Sequence, residues 1–106
     1  MDLLRGEVWD AHERDAGTHP FVILAVNPMI GRLSAVTATL VTGTAGPRLT
    51  HVPIGPDAGV TGYPESYVNA TDLHTIPKAR FHRRRGRLAA NELASVERAV
   101  RIYLGL

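Results

Sequence analysis

His19 stands between Thr18 and Pro20 at the head of the apolar run Phe21 to Val26. Proline fixes its own φ and pushes the residue before it into an extended conformation, so His19 is set at the mouth of a strand. A histidine side chain exchanges a proton near neutral pH, with an ordinary pKa of about 6.5, so this position can do acid–base chemistry. Taken alone, a polar residue at a strand entry is an ordinary structural feature. A second group is basic. Lys78, Arg80, Arg83, Arg84, Arg85 and Arg87 put half of the 12 lysines and arginines into ten positions. Such a run is either a solvated connection or a phosphate-binding patch, and it permits a nucleic-acid partner without requiring one. His12, His74 and His82 show no ligand spacing with one another or with carboxylates, so no metal site is read. The chain has no cysteine, which excludes disulfides and thiolate chemistry.

The elements that must position these groups can be read from periodicity. Residues 6–13, GEVWDAHE, mix apolar and polar side chains like a first strand, and ERDAG turns the chain. PFVILAV (20–26) reads as a buried second strand that ends at Asn27-Pro28. LSAVTATLV (33–41) is rich in valine and threonine and reads as a third strand. GTAGP leads into RLTHVPI (48–54), where Thr50, Val52 and Ile54 share one face. The glycine- and proline-marked loop GPDAGVTGYPE precedes a short strand SYVNA (66–70). TDLHTI (71–76) reads as a turn or short helix that Pro77 stops. In the last segment, Leu93, Val96, Val100, Tyr103 and Leu104 recur at spacings of three and four, an amphipathic helix with Gly105 as its stop. The simplest architecture is a curled antiparallel sheet of about five strands closed by a C-terminal helix.

Length and composition agree with one small domain. The chain has 106 residues and a formal net charge of +2. A domain of this size buries roughly two-thirds of its unfolded surface, enough for one modest core. The N-terminus lacks a basic segment followed by an apolar stretch, and FVILAV is far too short to span a bilayer. A soluble, cytoplasmic protein is expected.

Five segments in register resemble the MazF/PemK family of toxin–antitoxin endoribonucleases. RGEVW is similar to that family's opening strand, and HPFVILAVN to its second strand. THVPI and TDLHTIPKARF are similar to its Thr-His-Val strand and its Thr-Ile, Lys-x-Arg segment. RRGRLAANELASVERAVRIYLGL is similar to its Gly-Arg-Leu and terminal helix. The resemblance runs from Arg5 to Leu106. It implies a mainly β fold with a C-terminal helix, an SH3-like curled antiparallel barrel of the MazF/CcdB toxin type, as one domain over residues 1–106. It implies a homodimer that cuts single-stranded RNA such as mRNA at a short sequence, without metal or cofactor. The ribose 2′-hydroxyl attacks the adjacent phosphate, leaving a cyclic phosphate and a 5′-hydroxyl. The implied partner is a cognate antitoxin whose extended acidic tail lies across the RNA site.

This reaction needs a base near the 2′-hydroxyl, an acid near the leaving oxygen and donors aimed at the phosphate. By the resemblance, the catalytic pair falls on His19, at the family's arginine position, and on Thr42, whose hydroxyl would donate to a non-bridging oxygen. Thr44 is the fallback for Thr42. Arg14, Thr44, Arg48, Lys78 and Arg80 are the implied RNA contacts. Two departures matter. Histidine in place of arginine is a better acid–base group and a poorer bidentate phosphate clamp, so His19 has either taken over the proton transfer or marks a site that has lost it. The first turn is also several residues shorter than the family's, leaving Glu13, Arg14 and Asp15. Arg14 either brings a guanidinium to the phosphate or sits on a solvated tip. Asp72 is read as capping a local turn, Trp9 as core, His51 as structural and Tyr63 as the candidate for stacking on a base. Ala89 stands where the family carries a serine cap, with Glu92 kept; a lost cap weakens a helix by roughly 1 kcal/mol unless Asn91 caps a later start. Two other readings share the fold: a non-catalytic RNA- or peptide-binding module, and a gyrase-directed toxin of the CcdB type. The latter uses a tryptophan near the C-terminus, whereas the one tryptophan here is Trp9.

Overall fold

The computed structural model describes residues 2–14 and 17–106. Among them, six strands form one antiparallel sheet: β1 (Glu7–Glu13), β2 (Gly17–Ile23), β3 (Ala35–Thr42), β4 (His51–Ile54), β5 (Ser66–Pro77) and β6 (Phe81–Arg87). Their order is β4-β5-β3-β2-β1-β6. A single helical turn α1 (Asn27–Ile30) links β2 to β3, and α2 (Ala90–Leu104) ends the chain. No helix among the described residues is long and apolar enough to cross a membrane.

Alternation along the strands sorts the core into two layers. Trp9, Ala11, Phe21, Ile23, Val36, Ala38, Ile76 and Phe81 form one layer, capped by Leu3 and by Ile30 of α1. Val8, Val22, Val41, Val52 and Val68 form the other, and Val96 and Ala99 of α2 close it. β2 contributes to both, Phe21 and Ile23 on one side and Val22 on the other. That is why the run from Phe21 reads as unbroken rather than alternating, although the strand is Gly17–Ile23 and starts and ends three residues before the 20–26 expected from sequence. Removing a valine side chain of this kind from water is worth about 1.5–3 kcal/mol.

The helix begins at Ala90 without a side-chain cap at Ala89. Glu92 compensates with both oxygens. Oε1 accepts the Ala89 N–H at 2.8 Å and Oε2 accepts the Gly55 N–H at 2.6 Å. One carboxylate thus covers an open helix donor and ties α2 to the end of β4. Asn91 lies inside the first turn and is not the cap. Leu93, Val96 and Val100 pack inward as their spacing predicts. Tyr103 and Leu104 remain 51% and 50% exposed.

Two expectations need correction. The sheet is not a closed, curled barrel. Closure requires the first and last strands in the order to pair, and here β4 and β6 are both edges. Each edge is protected by something other than a strand. Glu92 of α2 holds the end of β4, and the Pro56–Ala58 turn lies against β6. There Arg85 Nη2 donates to the Gly59 carbonyl at 3.0 Å. Gly59 has φ +75°, and a Cβ on it would fall 1.9 Å from the Arg85 carbonyl oxygen, so only glycine fits this close approach.

Secondly, residues 71–76 are neither turn nor helix. They continue β5, which is 12 residues long. β3 and β5 pair Thr39↔Leu73 and then Val41↔Val68. Between those pairs β3 has only Leu40, while β5 has Asn69 to Asp72, a wide bulge. The buried Thr39 hydroxyl supports it, donating to the carbonyls of Asn69 at 2.5 Å and Asp72 at 3.3 Å. The basic run, left open between a connection and a patch, is split between a 3-10 turn (Lys78–Arg80) and the strand β6, which pairs along β1.

Candidate functional site

The β2–β3 ladder is registered Ile23↔Ala38, Val22↔Thr39, Phe21↔Leu40. His19 and Thr42 each lie two residues beyond its last pair, at matching positions on adjacent strands. The same alternation that puts Phe21 and Ile23 on the first core layer puts His19 on that face. His19 is half-buried and stands opposite Ala11 of β1, whose small side chain leaves the imidazole room. Thr42 faces Tyr67 of β5. Its Oγ1 accepts the Thr44 N–H at 3.1 Å, which fixes the hydroxyl and leaves its hydrogen for an outside acceptor. Tyr67 donates its hydroxyl to Glu65 at 2.6 Å, and that bond raises the phenol above its ordinary pKa. The Tyr63 ring lies over Gly43, where a Cβ would come 2.5 Å from Cδ1. Thr42, Gly43, Thr44 and the 40% exposed Tyr63 therefore form one rim.

A cluster that the sequence did not reveal is built around His74 of β5. His74 lies on the same face of β5, its ring edge-on to Phe21 with centroids 5.3 Å apart. Its Nδ1 is 3.1 Å from Glu13 Oε2 and its Nε2 is 2.6 Å from Asp72 Oδ1. Arg80 stands 3.7 Å from the other Glu13 oxygen. Asp72, His74, Glu13 and Arg80 thus form one connected polar chain. The two carboxylates sit at opposite edges of the imidazole and cannot share one ion. Among the described residues, no group of three or more histidines, aspartates and glutamates could hold a metal. Asp72 was expected to cap a turn; its carboxylate orients a histidine instead.

The remaining candidates divide. Arg14 is exposed at the tip after β1, where its N–H donates to Glu13 at 3.0 Å; Asp15 lies outside the described residues. Arg80 joins the His74 cluster. Lys78 does not, because its ammonium donates to the Ile30 carbonyl at 2.8 Å and ties α1 to the end of β5. Arg48 lines a groove of about 590 Å³ between β4 and α2, with Pro53, Glu92, Arg98 and Ile102. His51 holds its Nδ1 2.9 Å from the Thr50 hydroxyl, with its ring over Gly46, the structural role read from the sequence. Trp9 is core, and its indole donates to Glu7 at 3.0 Å.

Much of the basic run is neutralised within the molecule. Arg84 reaches Glu7 at 2.7 Å and Arg85 reaches Asp10 at 3.2 Å, so β6 is zipped to the acidic residues of β1. Arg83 and Arg87 stay exposed, with no ion pair among the described residues.

Fold and site together define a small sheet-and-helix domain with a histidine and a threonine at matching positions past the end of a strand pair, and a second histidine held between two carboxylates on the same face. The family of PemK-like, MazF-like toxins of type II toxin–antitoxin systems matches residues 5–104, and the chain belongs to it. An endoribonuclease in complex with its cognate antitoxin from a mycobacterial species is 28% identical, with a TM-score of 0.87 over 98% of this chain and 96% of that one. A mycobacterial endoribonuclease is 27% identical, with a TM-score of 0.84 over 100% and 94%. A MazE–MazF complex from Deinococcus radiodurans shares the fold at 19% identity, with a TM-score of 0.82 over 100% and 98%. No curated protein matches the chain by sequence.

Proposed function

We propose that this toxin is an endoribonuclease that cuts single-stranded RNA by 2′-hydroxyl attack, with His19 and Thr42 at its centre. The observation that carries the reading is the matched position of these two residues past the end of the β2–β3 ladder. His19 takes the proton of the 2′-hydroxyl while the new O2′–P bond forms and the P–O5′ bond breaks. The Thr42 hydroxyl donates to a non-bridging oxygen, where charge develops. Products are a 2′,3′-cyclic phosphate and a 5′-hydroxyl, and no metal takes part. Thr44, Arg14 and Arg48 contribute to RNA binding, with Arg80 acting through Glu13 and Lys78 at most through its anchoring of α1.

The protein works as a homodimer in the cytoplasm and is held in check by an antitoxin with an extended acidic tail. Support for the partner comes from the mycobacterial relative, solved with its cognate antitoxin. Ile102, Tyr103, Leu104 and Leu106 leave the end of α2 apolar and at least half exposed, which suits a second copy.

The test is cleavage of a long RNA in EDTA by the wild type and by His19→Ala and Thr42→Ala. Discrete cuts with 5′-hydroxyl ends, reduced at least ~100-fold by either substitution, are expected. Cuts that survive His19→Ala would move the base elsewhere. An inactive wild type that still binds RNA would make the chain a binding module.

A further inference from the structure

The leaving 5′-oxygen needs a proton, and neither His19 as base nor Thr42 as phosphate donor supplies it. We propose that His74 is the general acid of the reaction, with Glu13 orienting it and Asp72 occupying the place of the substrate phosphate in the free protein. The inference rests on the endoribonuclease reading above.

Three observations carry it. His74 touches Phe21, the next residue on the same face of β2 after His19. Its ring therefore packs on the same face of the sheet that carries His19, one same-face position along β2 from it, with centroids of the His74 and Phe21 rings 5.3 Å apart. The ring is held rather than loose. Glu13, itself paired with Arg80, fixes Nδ1 from the more buried side, with 20% side-chain exposure against 39% for Asp72. Finally, the partner of Nε2 is an anion on the exposed side of the ring. A phosphate oxygen that displaces Asp72 Oδ1 meets the same N–H in the same direction.

The step balances without any co-reactant. His19 accepts the 2′-hydroxyl proton as the O2′–P bond forms. His74 gives its Nε2 proton to O5′ as the P–O5′ bond breaks, and water restores both histidines. Groups facing His74 from the packed elements are Glu13 on β1, Phe21 on β2 and Asp72 on β5, with Arg80 behind Glu13. The Nδ1–Glu13 bond remains through the cycle, so the ring keeps its orientation while Nε2 changes partner.

The experiment compares two RNA oligonucleotides with the same cleavage sequence, one natural and one with sulfur replacing the bridging 5′-oxygen at the scissile linkage. A thiolate leaves without protonation. His74→Ala is therefore expected to lower cleavage of natural RNA by at least ~100-fold and to cut the sulfur-bridged RNA within about threefold of wild type. His19→Ala loses both. His74→Gln, which keeps a donor toward Glu13 but transfers no proton, shows the same selective rescue and guards against a folding defect. Asp72→Asn lowers KM for natural RNA severalfold. Equal losses on both substrates in the His74→Gln variant overturn the assignment of the acid while leaving the nuclease standing. A rise in KM for Asp72→Asn overturns the stand-in role of that carboxylate. A wild type that cleaves neither substrate overturns the nuclease reading, and this inference with it.

Discussion

Glu7 is nearly inaccessible, yet both of its oxygens are bonded. Oε1 accepts the Trp9 indole N–H at 3.0 Å and the Leu4 N–H at 2.9 Å, and Oε2 accepts from Arg84 at 2.7 Å in an ion pair. Burial pushes this carboxyl up, but the bonds from Trp9, Leu4 and Arg84 outweigh it and leave the pKa below its ordinary value. A depressed folded-state pKa means that the unfolded chain binds the proton more tightly. The resulting stability is present above the ordinary carboxylate range, near pH 4.3, and is lost as pH falls through the folded value. Glu7→Gln is therefore expected to destabilise the protein by roughly 1–3 kcal/mol at pH 7, with the gap to wild type closing toward pH 3. Thermal melts at several pH values measure it; a gap independent of pH would show that packing and not charge matters here. Thr42 calls for a kinetic test. Its oxygen accepts from Thr44 and its hydrogen is left to donate, so Thr42→Ser should retain most activity. Thr42→Val should lose about 100-fold in kcat, the size expected for one donor to a developing oxyanion. Equal losses in the two variants would mean that shape, not the hydroxyl, is what the site requires.

At the scale of elements, the bulge in β5 decides where the site chemistry sits. Four residues of β5 stand against Leu40 alone, and the Thr39 hydroxyl holds two of their carbonyls. Bulges of this kind re-aim side chains next to active sites, and here Asp72 and His74 follow directly. Thr39→Val keeps the shape and removes the donor. It is expected to cost roughly 1–3 kcal/mol in stability and to lower kcat on RNA more than it raises KM. An unchanged kcat, with the melt shifted, would mean that the bulge only fills space. The same bulge explains what the sequence could and could not disclose. β1, β2, β3 and α2 announce themselves because their apolar spacing and their contacts are local. Thr71 to Pro77 mixes threonines, a histidine and an aspartate with one buried isoleucine, so its strand character comes from pairing with β3, distant in the chain. Read as a strand, Asp72 and His74 at a spacing of two would have shared a face and suggested a pair. Glu13 adds nothing to that signal, because its bond with His74 spans 61 positions. Openness of the sheet was equally hidden, since strand order depends on which edges α2 and the Pro56–Ala58 turn cover.

Over the whole molecule, the question is how much of the basic charge is left for RNA. Composition places six cations in residues 78–87. Arg80, Arg84 and Arg85 are paired with Glu13, Glu7 and Asp10, and Lys78 is bound to the Ile30 carbonyl. A cation already paired with a carboxylate gains little when it meets a phosphate, because its counter-charge must first be displaced. Phosphate neutralisation then falls to exposed arginines such as Arg14, Arg48, Arg83 and Arg87. For single-stranded RNA, each phosphate neutralised adds about 0.7 to the slope of log affinity against log salt. The double variant Arg83→Ala/Arg87→Ala is expected to flatten that slope by about 0.7 for each phosphate no longer neutralised, while leaving the melting temperature within a few degrees. Arg84→Ala should do the reverse, lowering the melting temperature through the stranded Glu7 and leaving the slope unchanged. Binding titrations from low to moderate salt, using a variant inactive in cleavage, read the slope, and thermal melts read the stability. A slope that drops with Arg84→Ala would mean that the β1–β6 ion pairs open on RNA, and that the zipper between those strands belongs to the binding surface rather than to the fold.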